Sequence, residues 1–170
     1  KPFLPIIDYG FKTASIVQAI SVFLMEWPKK RGIKVPVDLI YNGGNPRDIN
    51  DQVSKDEIEK IKNELGKKPG DIFLVNTSRL VHQKGFDNII HALTKLPPHI
   101  KLLAVGAGSD EKMLKKLTQD LNLEDRVIFT GNVDRSVVTL YRRASDIFVA
   151  PSRSEGLGNA FISALASRRD

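Results

Sequence analysis

The chain has 170 residues, a net charge of +6, 41% hydrophobic residues and no cysteine. This length and apolar content suffice for one domain or slightly more, with a sizeable core. The lack of cysteine excludes a disulfide framework and a thiolate metal site, and no apolar run is long enough to span a membrane. The positive charge favours anionic partners, namely nucleotides, phosphosugars, nucleic acid or an anionic membrane face, or else it is solvated surface. Because no basic stripe is interleaved with aromatic residues, we expect no nucleic-acid binding.

The first 70 residues predict a mixed set of elements. Lys12–Trp27 has a helical pattern that we expect to end at Pro28. The sequence VDLIYNGG then predicts a strand that runs into a turn. A further helix is expected to start with a capping box formed by Ser54 and Glu57 and to end at Gly66.

From residue 71 onward, short apolar runs alternate with helical patterns. Strands are predicted at Ile72–Asn76 and in IKLLAVGAG, RVIFTG and DIFVAPS. Helices are predicted in KGFDNIIHALTKL, in SDEKMLKKLTQDL with Ser109 as its N-cap, in SVVTLYRRA, and from Ala160 to Ser167. This alternation with short connections predicts an α/β fold, a doubly wound parallel sheet covered by helices. Because such a sheet normally continues beyond the last predicted helix, we expect the chain to be part of a longer protein.

The loop after the first of these strands, TSRLVHQKGFD, combines two cations with the start of a helix. Arg79 and Lys84 are five residues apart, and Gly85 follows them. Helix N-terminal amides with two cations, one of them able to form a bidentate fork, suit a phosphate group. The alternative is that both side chains are solvated loop cations.

Two further loops are predicted at the same edge of the sheet. Gly106 and Gly108, after the second strand, permit close backbone approach, which also fits an ordinary strand-to-helix turn. After the fourth strand, the amides of Gly156 and Gly158 can face a ligand, and Glu155 can accept hydrogen bonds from hydroxyl groups. A carboxylate near a phosphate site fits a nucleotide sugar, whereas the alternative is an acid that interacts with the helix dipole.

Four stretches in order resemble the family 4 glycosyltransferases: SRLVHQKGFDNIIHAL, LLAVGAGSDEKML, RVIFTGNV and ASDIFVAPSRSEGLGNAFISALA. The shorter stretches QAIS and DLIYNGGN add to the resemblance, which covers roughly residues 15–166. It implies a retaining enzyme of the GT-B arrangement, with two Rossmann-like domains. Residues 1–36 would be the end of the N-terminal domain and a linker helix, and residues 37–170 an incomplete, Rossmann-like C-terminal domain that binds a nucleotide-sugar donor.

The resemblance also implies roles for individual residues. Arg79 and Lys84 match the pair that neutralises the donor diphosphate, so that no cofactor and no divalent metal are expected. Glu155 matches the first acid of an E-x7-E motif and would contact the hydroxyls of the donor sugar. Ser163 stands where the second acid, which usually holds the ribose hydroxyls, is expected. The remaining candidate donor-binding positions are Gly106, the nucleobase loop of Gly131, Asn132 and Val133, and the turn of Gly156, Leu157 and Gly158.

Ser163 leaves two functions open. The chain is either the donor-binding domain of a hexosyl-transferring enzyme, inactive without its N-terminal domain, or a non-catalytic nucleotide-sugar binding module with a degenerate motif. A dehydrogenase-like dinucleotide domain is a third alternative, against which the missing G-x-G-x-x-G counts. We expect a UDP- or GDP-linked donor, a glycan or glycolipid acceptor bound by the N-terminal domain, and a cytoplasmic location with peripheral association at the inner membrane face.

Overall fold

The computed structural model of the chain describes residues 3–43 and 53–167. The chain divides into two compact units. The first comprises Lys1–Gly43 and Glu155–Asn159, and the second comprises Gly44–Ser154 and Ala160–Asp170. The domain boundary expected between residues 36 and 37 stays a prediction.

The described residues of the first unit form two short helices and two short strands. These elements are α1 (Leu4–Thr13), β1 (Val17–Ala19), α2 (Val22–Lys30) and β2 (Val37–Leu39). The two strands pair in parallel. Helix α2 starts at a Ser21 side chain that accepts a hydrogen bond from the backbone N–H of Leu24 at 3.3 Å, as expected of an N-cap serine.

The prediction of one helix over Lys12–Trp27 is wrong. The chain leaves the helical conformation after α1 because β1 pairs with β2, a partner that is remote in sequence and that a local pattern cannot show. Pro28 does not end α2 either, since the helix continues to Lys30. The Pro28 carbonyl accepts hydrogen bonds from the backbone N–H groups of Arg31 and Ile33, which close the helix two residues later than predicted.

The second unit contains the alternating elements that the sequence predicts. Their bounds are α3 (Lys55–Glu64), β3 (Ile72–Asn76), a 3₁₀ turn (His82–Lys84), α4 (Phe86–Leu93), β4 (Ile100–Val105), α5 (Glu111–Asp120), β5 (Val127–Gly131), α6 (Arg135–Ala144), β6 (Ile147–Phe148) and α7 (Asn159–Ser167), whose first residue belongs to the first unit. The capping box of α3 is confirmed, because the Ser54 hydroxyl accepts from the Glu57 N–H at 3.1 Å and the Glu57 carboxylate accepts from the Ser54 N–H at 2.9 Å. Gly66 follows the helix in the left-handed conformation, with φ of +65°.

The strands of the second unit form one parallel sheet with the order β5-β4-β3-β6. From β3 the chain proceeds outward through β4 and β5, then crosses back to place β6 on the other side of β3. The strand order therefore reverses between β3 and β6. In open α/β sheets, ligands bind beyond the carboxyl ends of the strands at such a reversal.

Apolar side chains cover both faces of this sheet, which confirms the doubly wound fold. One face packs against α4 and α5, and its cluster includes Leu74, Leu102, Ala104, Phe86, Ile90 and Leu114. The opposite face packs against α6 and the end of α3, and its cluster includes Val75, Leu103, Val105, Val138, Tyr141 and Leu65. Each fully buried large side chain contributes roughly 1.5–3 kcal/mol, and these clusters fix the strands whose ends carry the candidate site.

Two local predictions in the second unit need correction. Helix α5 has Asp110, not Ser109, as its N-cap, and the Ser109 hydroxyl donates to the Asp110 carboxylate at 2.8 Å. A tertiary contact sets where this helix starts, because the Asp110 N–H donates to the Leu80 carbonyl at 3.0 Å. Strand β6 is shorter than DIFVAPS. The last ladder bond runs from the Val149 N–H to the Val75 carbonyl, and Pro151 has no N–H to extend it.

Candidate functional site

The loop between β3 and α4 carries the two predicted phosphate-binding cations. β3 is the strand next to the reversal of strand order, so this loop emerges at the position where open α/β sheets bind ligands. Arg79 is exposed and Lys84 is half-buried at the end of the 3₁₀ turn. Gly85, with φ of +69°, then turns the chain into α4. The structure thus places both cations ahead of a helix N-terminus, where an anion is favoured.

The loop that follows β6 packs directly onto this helix start. A Cβ atom at Gly85 would overlap the carbonyl oxygen of Pro151, so only glycine permits this approach. The backbone N–H of Arg153 donates to the Gln83 carbonyl at 2.8 Å, and the Gln83 side-chain amide donates to the Ser154 carbonyl at 2.7 Å. The two loops on either side of the strand reversal are therefore joined through backbone groups and through the Gln83 side chain.

Arg153 also joins them through its side chain. Its guanidinium donates to both carboxylate oxygens of Asp87, at 2.9 and 2.6 Å, and to the His82 carbonyl at 2.7 Å. The hydrogen bond from Arg153 holds the pKa of Asp87 below its ordinary value, against the opposing effect of burial. Sequence reasoning missed this pair, because Asp87 and Arg153 are 66 residues apart and no local pattern connects them.

The close approach predicted at Gly106 and Gly108 is confirmed, and the groups that approach these glycines are backbone atoms of the same chain. A Cβ atom at Gly106 would overlap the carbonyl oxygen of Ser78, and one at Gly108 would overlap that of Leu80. Gly106 also donates its backbone N–H to the Gly131 carbonyl at 3.0 Å. The loops after β3, β4 and β5 are thus held together at the carboxyl edge. The donor-binding role of Gly106 stays a prediction.

The expected nucleobase loop begins at the end of β5. Gly131 has φ of +68°, Asn132 is exposed, and Val133 is half-buried against the cluster that contains Val75 and Val105. Val133 therefore contributes to the core through its side chain, and any ligand contact of this loop depends on the other two residues or on its backbone.

The stretch around Glu155 belongs to the first unit. Glu155, Leu157 and Gly158 are half-buried there. A Cβ atom at Gly156 would lie 2.6 Å from the terminal Cδ1 of Leu24, so this turn packs on the start of α2. The Asn42 amide donates to the Asn159 side-chain oxygen at 2.8 Å, which holds the end of the stretch.

Ser163, which stands in place of the expected second acid, lies in the second unit on α7. It is half-buried, and its carbonyl accepts a hydrogen bond from the Ser167 hydroxyl at 2.7 Å. A serine hydroxyl can bond a ribose hydroxyl, but a neutral hydrogen bond has roughly half the strength of a charge-assisted one.

Within residues 3–43 and 53–167, no three His, Cys, Asp or Glu side chains gather closely enough to hold a metal ion. Over the same part of the chain, every helix is too short or too polar to cross a bilayer.

The chain is similar in sequence to known glycosyltransferases. Residues 57–168 match the family model for glycosyl transferases group 1, and the chain belongs to this family. An uncharacterized glycosyltransferase of Methanocaldococcus jannaschii is 33% identical over 161 residues, which cover 91% of this chain and 39% of that protein. The alpha-monoglucosyldiacylglycerol synthase of Streptococcus pneumoniae is 30% identical over 119 residues, covering 68% of this chain and 27% of the synthase.

Solved structures agree with the family. Anabaena HepE, crystallised with UDP-glucose, superposes with a TM-score of 0.85 at 25% identity, over 96% of this chain and 46% of that one. The sucrose-phosphate synthase of Thermosynechococcus elongatus has a TM-score of 0.81 at 24% identity, over 96% of this chain and 41% of that one, and supports the fold alone. The resemblance to the family and to the GT-B fold is confirmed. The chain spans less than half the length of each of these relatives.

Proposed function

We propose that the chain is the donor-binding part of a retaining glycosyltransferase that transfers a hexosyl group from a UDP- or GDP-linked sugar to a glycan or lipid-linked acceptor. The observation that carries this proposal is the position of Arg79 and Lys84. Both lie on the loop that leads from β3 into α4, at the reversal of strand order, in a chain of the glycosyl transferases group 1 family.

The relatives support a nucleotide-sugar donor. HepE was solved with UDP-glucose. A Mycobacterium tuberculosis relative, 32% identical over 127 residues that cover 69% of this chain and 32% of that protein, is named as a GDP-mannose-dependent mannosyltransferase acting on phosphatidylinositol monomannoside. UDP and GDP both occur among the relatives, and a donor linked to either nucleotide is therefore consistent with the chain.

In the proposed reaction, the cations assist departure of the nucleoside diphosphate. The bond between the sugar and the diphosphate breaks, the acceptor hydroxyl forms the new glycosidic bond and gives up its proton, and negative charge grows on the leaving phosphate oxygen. Arg79 and Lys84 stabilise that charge, which is the function that a divalent metal has in other transferases. Glu155 accepts hydrogen bonds from hydroxyls of the donor sugar, and Ser163 offers a hydroxyl to the ribose. The backbone positions that accompany them are Gly106, Gly131, Asn132, Val133, Gly156, Leu157 and Gly158.

The acceptor is assigned to an N-terminal domain of a longer protein. The chain alone therefore binds the donor without turning it over. A lipid-linked acceptor and the net charge of +6 favour a cytoplasmic enzyme that associates with an anionic membrane face.

Calorimetric titration of the chain with UDP, GDP, ADP and NAD tests the donor site. We expect one nucleoside diphosphate to bind and Arg79→Ala to weaken it by about ten- to hundredfold, since a charged hydrogen bond contributes roughly 1.5–3 kcal/mol. Lys95→Ala is the matched control. It removes the same charge from an exposed position just after α4, at the opposite edge of the sheet. Equal losses in the two variants, or binding of NAD alone, contradict the proposal.

Ser163 favours a second candidate, a nucleotide-sugar binding module without catalysis. Ser163→Glu in the full-length protein separates the two. If the natural protein transfers sugar well and the substitution changes little, the module is rejected. If the natural protein binds donor without turnover and Ser163→Glu introduces activity, the enzyme assignment for the natural protein is rejected.

A further inference from the structure

The Arg153–Asp87 pair differs from an ordinary surface ion pair. Both carboxylate oxygens of Asp87 accept from the guanidinium, and a third bond from the same guanidinium reaches the His82 carbonyl. The side chains are 31% and 24% exposed, so water screens the pair only in part. A planar, bidentate fork fixes the direction as well as the distance of its partner.

Several contacts connect the same two segments, residues 82–87 and 151–154. The Arg153 N–H bonds the Gln83 carbonyl, the Gln83 side chain bonds the Ser154 carbonyl, and the Pro151 carbonyl fills the space beside Gly85. Gln83 and Gly85 flank Lys84, and Ser154 immediately precedes Glu155. The contacts therefore lie next to Lys84 and Glu155, two of the three charged side chains to which the proposed function gives a role.

We propose that Arg153 is a positioning residue, which holds residues 151–154 against the start of α4 and thereby fixes the backbone on which Lys84 stands and the backbone that leads into Glu155. This inference rests on the proposed function of those two residues. Arg153 does not touch the donor. It acts by holding the loops in their binding geometry before the donor arrives, because a polar group that is misplaced by about 1 Å loses much of its effect.

The test combines hydrogen exchange with donor binding in three variants of the chain. Arg153→Ala removes the fork, Asp87→Asn keeps the shape but removes the charge, and Arg153→Lys keeps the charge but not the planar fork. Lys101→Ala is the matched control, because it breaks an ion pair with Asp71 that is 2.7 Å long and less exposed, at 16% and 9%, on the amino side of the same sheet.

In Arg153→Ala and Asp87→Asn we expect faster exchange in residues 77–85 and 149–155, together with a Kd for UDP-glucose and GDP-mannose about tenfold higher. Arg153→Lys should lie between these variants and the natural chain. Lys101→Ala should lower the unfolding temperature without either effect. This contrast distinguishes positioning from general stability. If Arg153→Ala does not fold, hydrogen exchange and donor binding are measured in the isosteric Asp87→Asn instead.

Unchanged exchange in both segments overturns the proposal, and so does faster exchange with unchanged affinity. If the natural chain binds neither nucleotide sugar, the proposed function fails, and the exchange measurement then decides by itself whether Arg153 holds the two segments together.

Discussion

Gly85 is the residue whose replacement tests the contact between the two loops most directly. We expect Gly85→Ala to lower the free energy of unfolding by about 3 kcal/mol or more. The left-handed backbone conformation costs an alanine about 1 kcal/mol. Its Cβ also overlaps the backbone carbonyl of Pro151. Urea unfolding measures the loss.

Gly66→Ala is the control for this prediction. Gly66 has nearly the same φ, +65°, belongs to the same unit, and has open space where a Cβ would stand. It should lose only the strain contribution, about 1 kcal/mol. Similar losses at Gly66 and Gly85 would show that the loops separate easily.

Also at the residue scale, the sequence predicts which side chains lie at the candidate site better than it predicts which side chains contact one another. Arg79 and Lys84 could be placed in the candidate site because the carboxyl ends of parallel strands share one edge. The pairing of Asp87 with Arg153 could not be predicted, since it depends on the crossing that brings β6 beside β3. Val133 shows a related limit, because a loop position that looks like a ligand contact also contributes to the core.

At the scale of elements, the ion pair between Asp71 and Lys101 joins the amino ends of β3 and β4. The hydrogen bond from Lys101, followed by that from the Lys68 N–H, lowers the pKa of Asp71 below its ordinary 3.8. A carboxyl group whose pKa is lower when folded stabilises the fold above its unfolded pKa, and this stabilisation is lost as pH falls through the folded pKa. We therefore expect the free energy of unfolding to decrease as the pH is lowered from about 4.

Urea titrations at pH 5 and pH 3 measure this effect, with Lys101→Met as the comparison. The variant should be less stable at pH 5 and should lose less on acidification, because its Asp71 lacks the main group that lowers the pKa. An identical loss in the variant and the natural chain would assign the acid sensitivity to other carboxylates.

Elements with a strong local pattern were predictable, whereas an element with an ambiguous local pattern, whose conformation depends on a remote partner, was not. β3 was predicted at its observed bounds because a run of buried apolar residues precedes turn-forming ones. The capping box of α3 is likewise local. β1 was predicted as helix because its apolar residues suit either structure, and only its pairing with β2 decides between them.

At the scale of the whole molecule, the two units differ in how much apolar surface they bury. The first unit fully buries few apolar side chains among its described residues, notably Ala19, Pro28 and Ile33, and α1 contains no buried residue. The second unit has a packed cluster on each face of its sheet. Because local unfolding follows the density of buried contacts, we expect α1 to exchange its amide hydrogens much faster than β3 and β4.

Hydrogen exchange followed by mass spectrometry measures this difference in the natural chain. Protection in α1 equal to that in β4 would mean that the first unit is stabilised by more than its own side chains.

The glycines and loops at the carboxyl edge of the second unit have a consequence for how this family diversifies. The residues that would choose a nucleotide stand on connections, whereas stability resides in the strands and helices beneath them. Substitutions can therefore change the nucleotide-selecting loop residues with little loss of stability. The contacts at Gly85, Gly106 and Gly108 restrict this freedom, because neighbouring connections touch one another through backbone atoms. New specificities should consequently arise by exchange of side chains at fixed loop length, and insertions in one loop should require matching changes in the next.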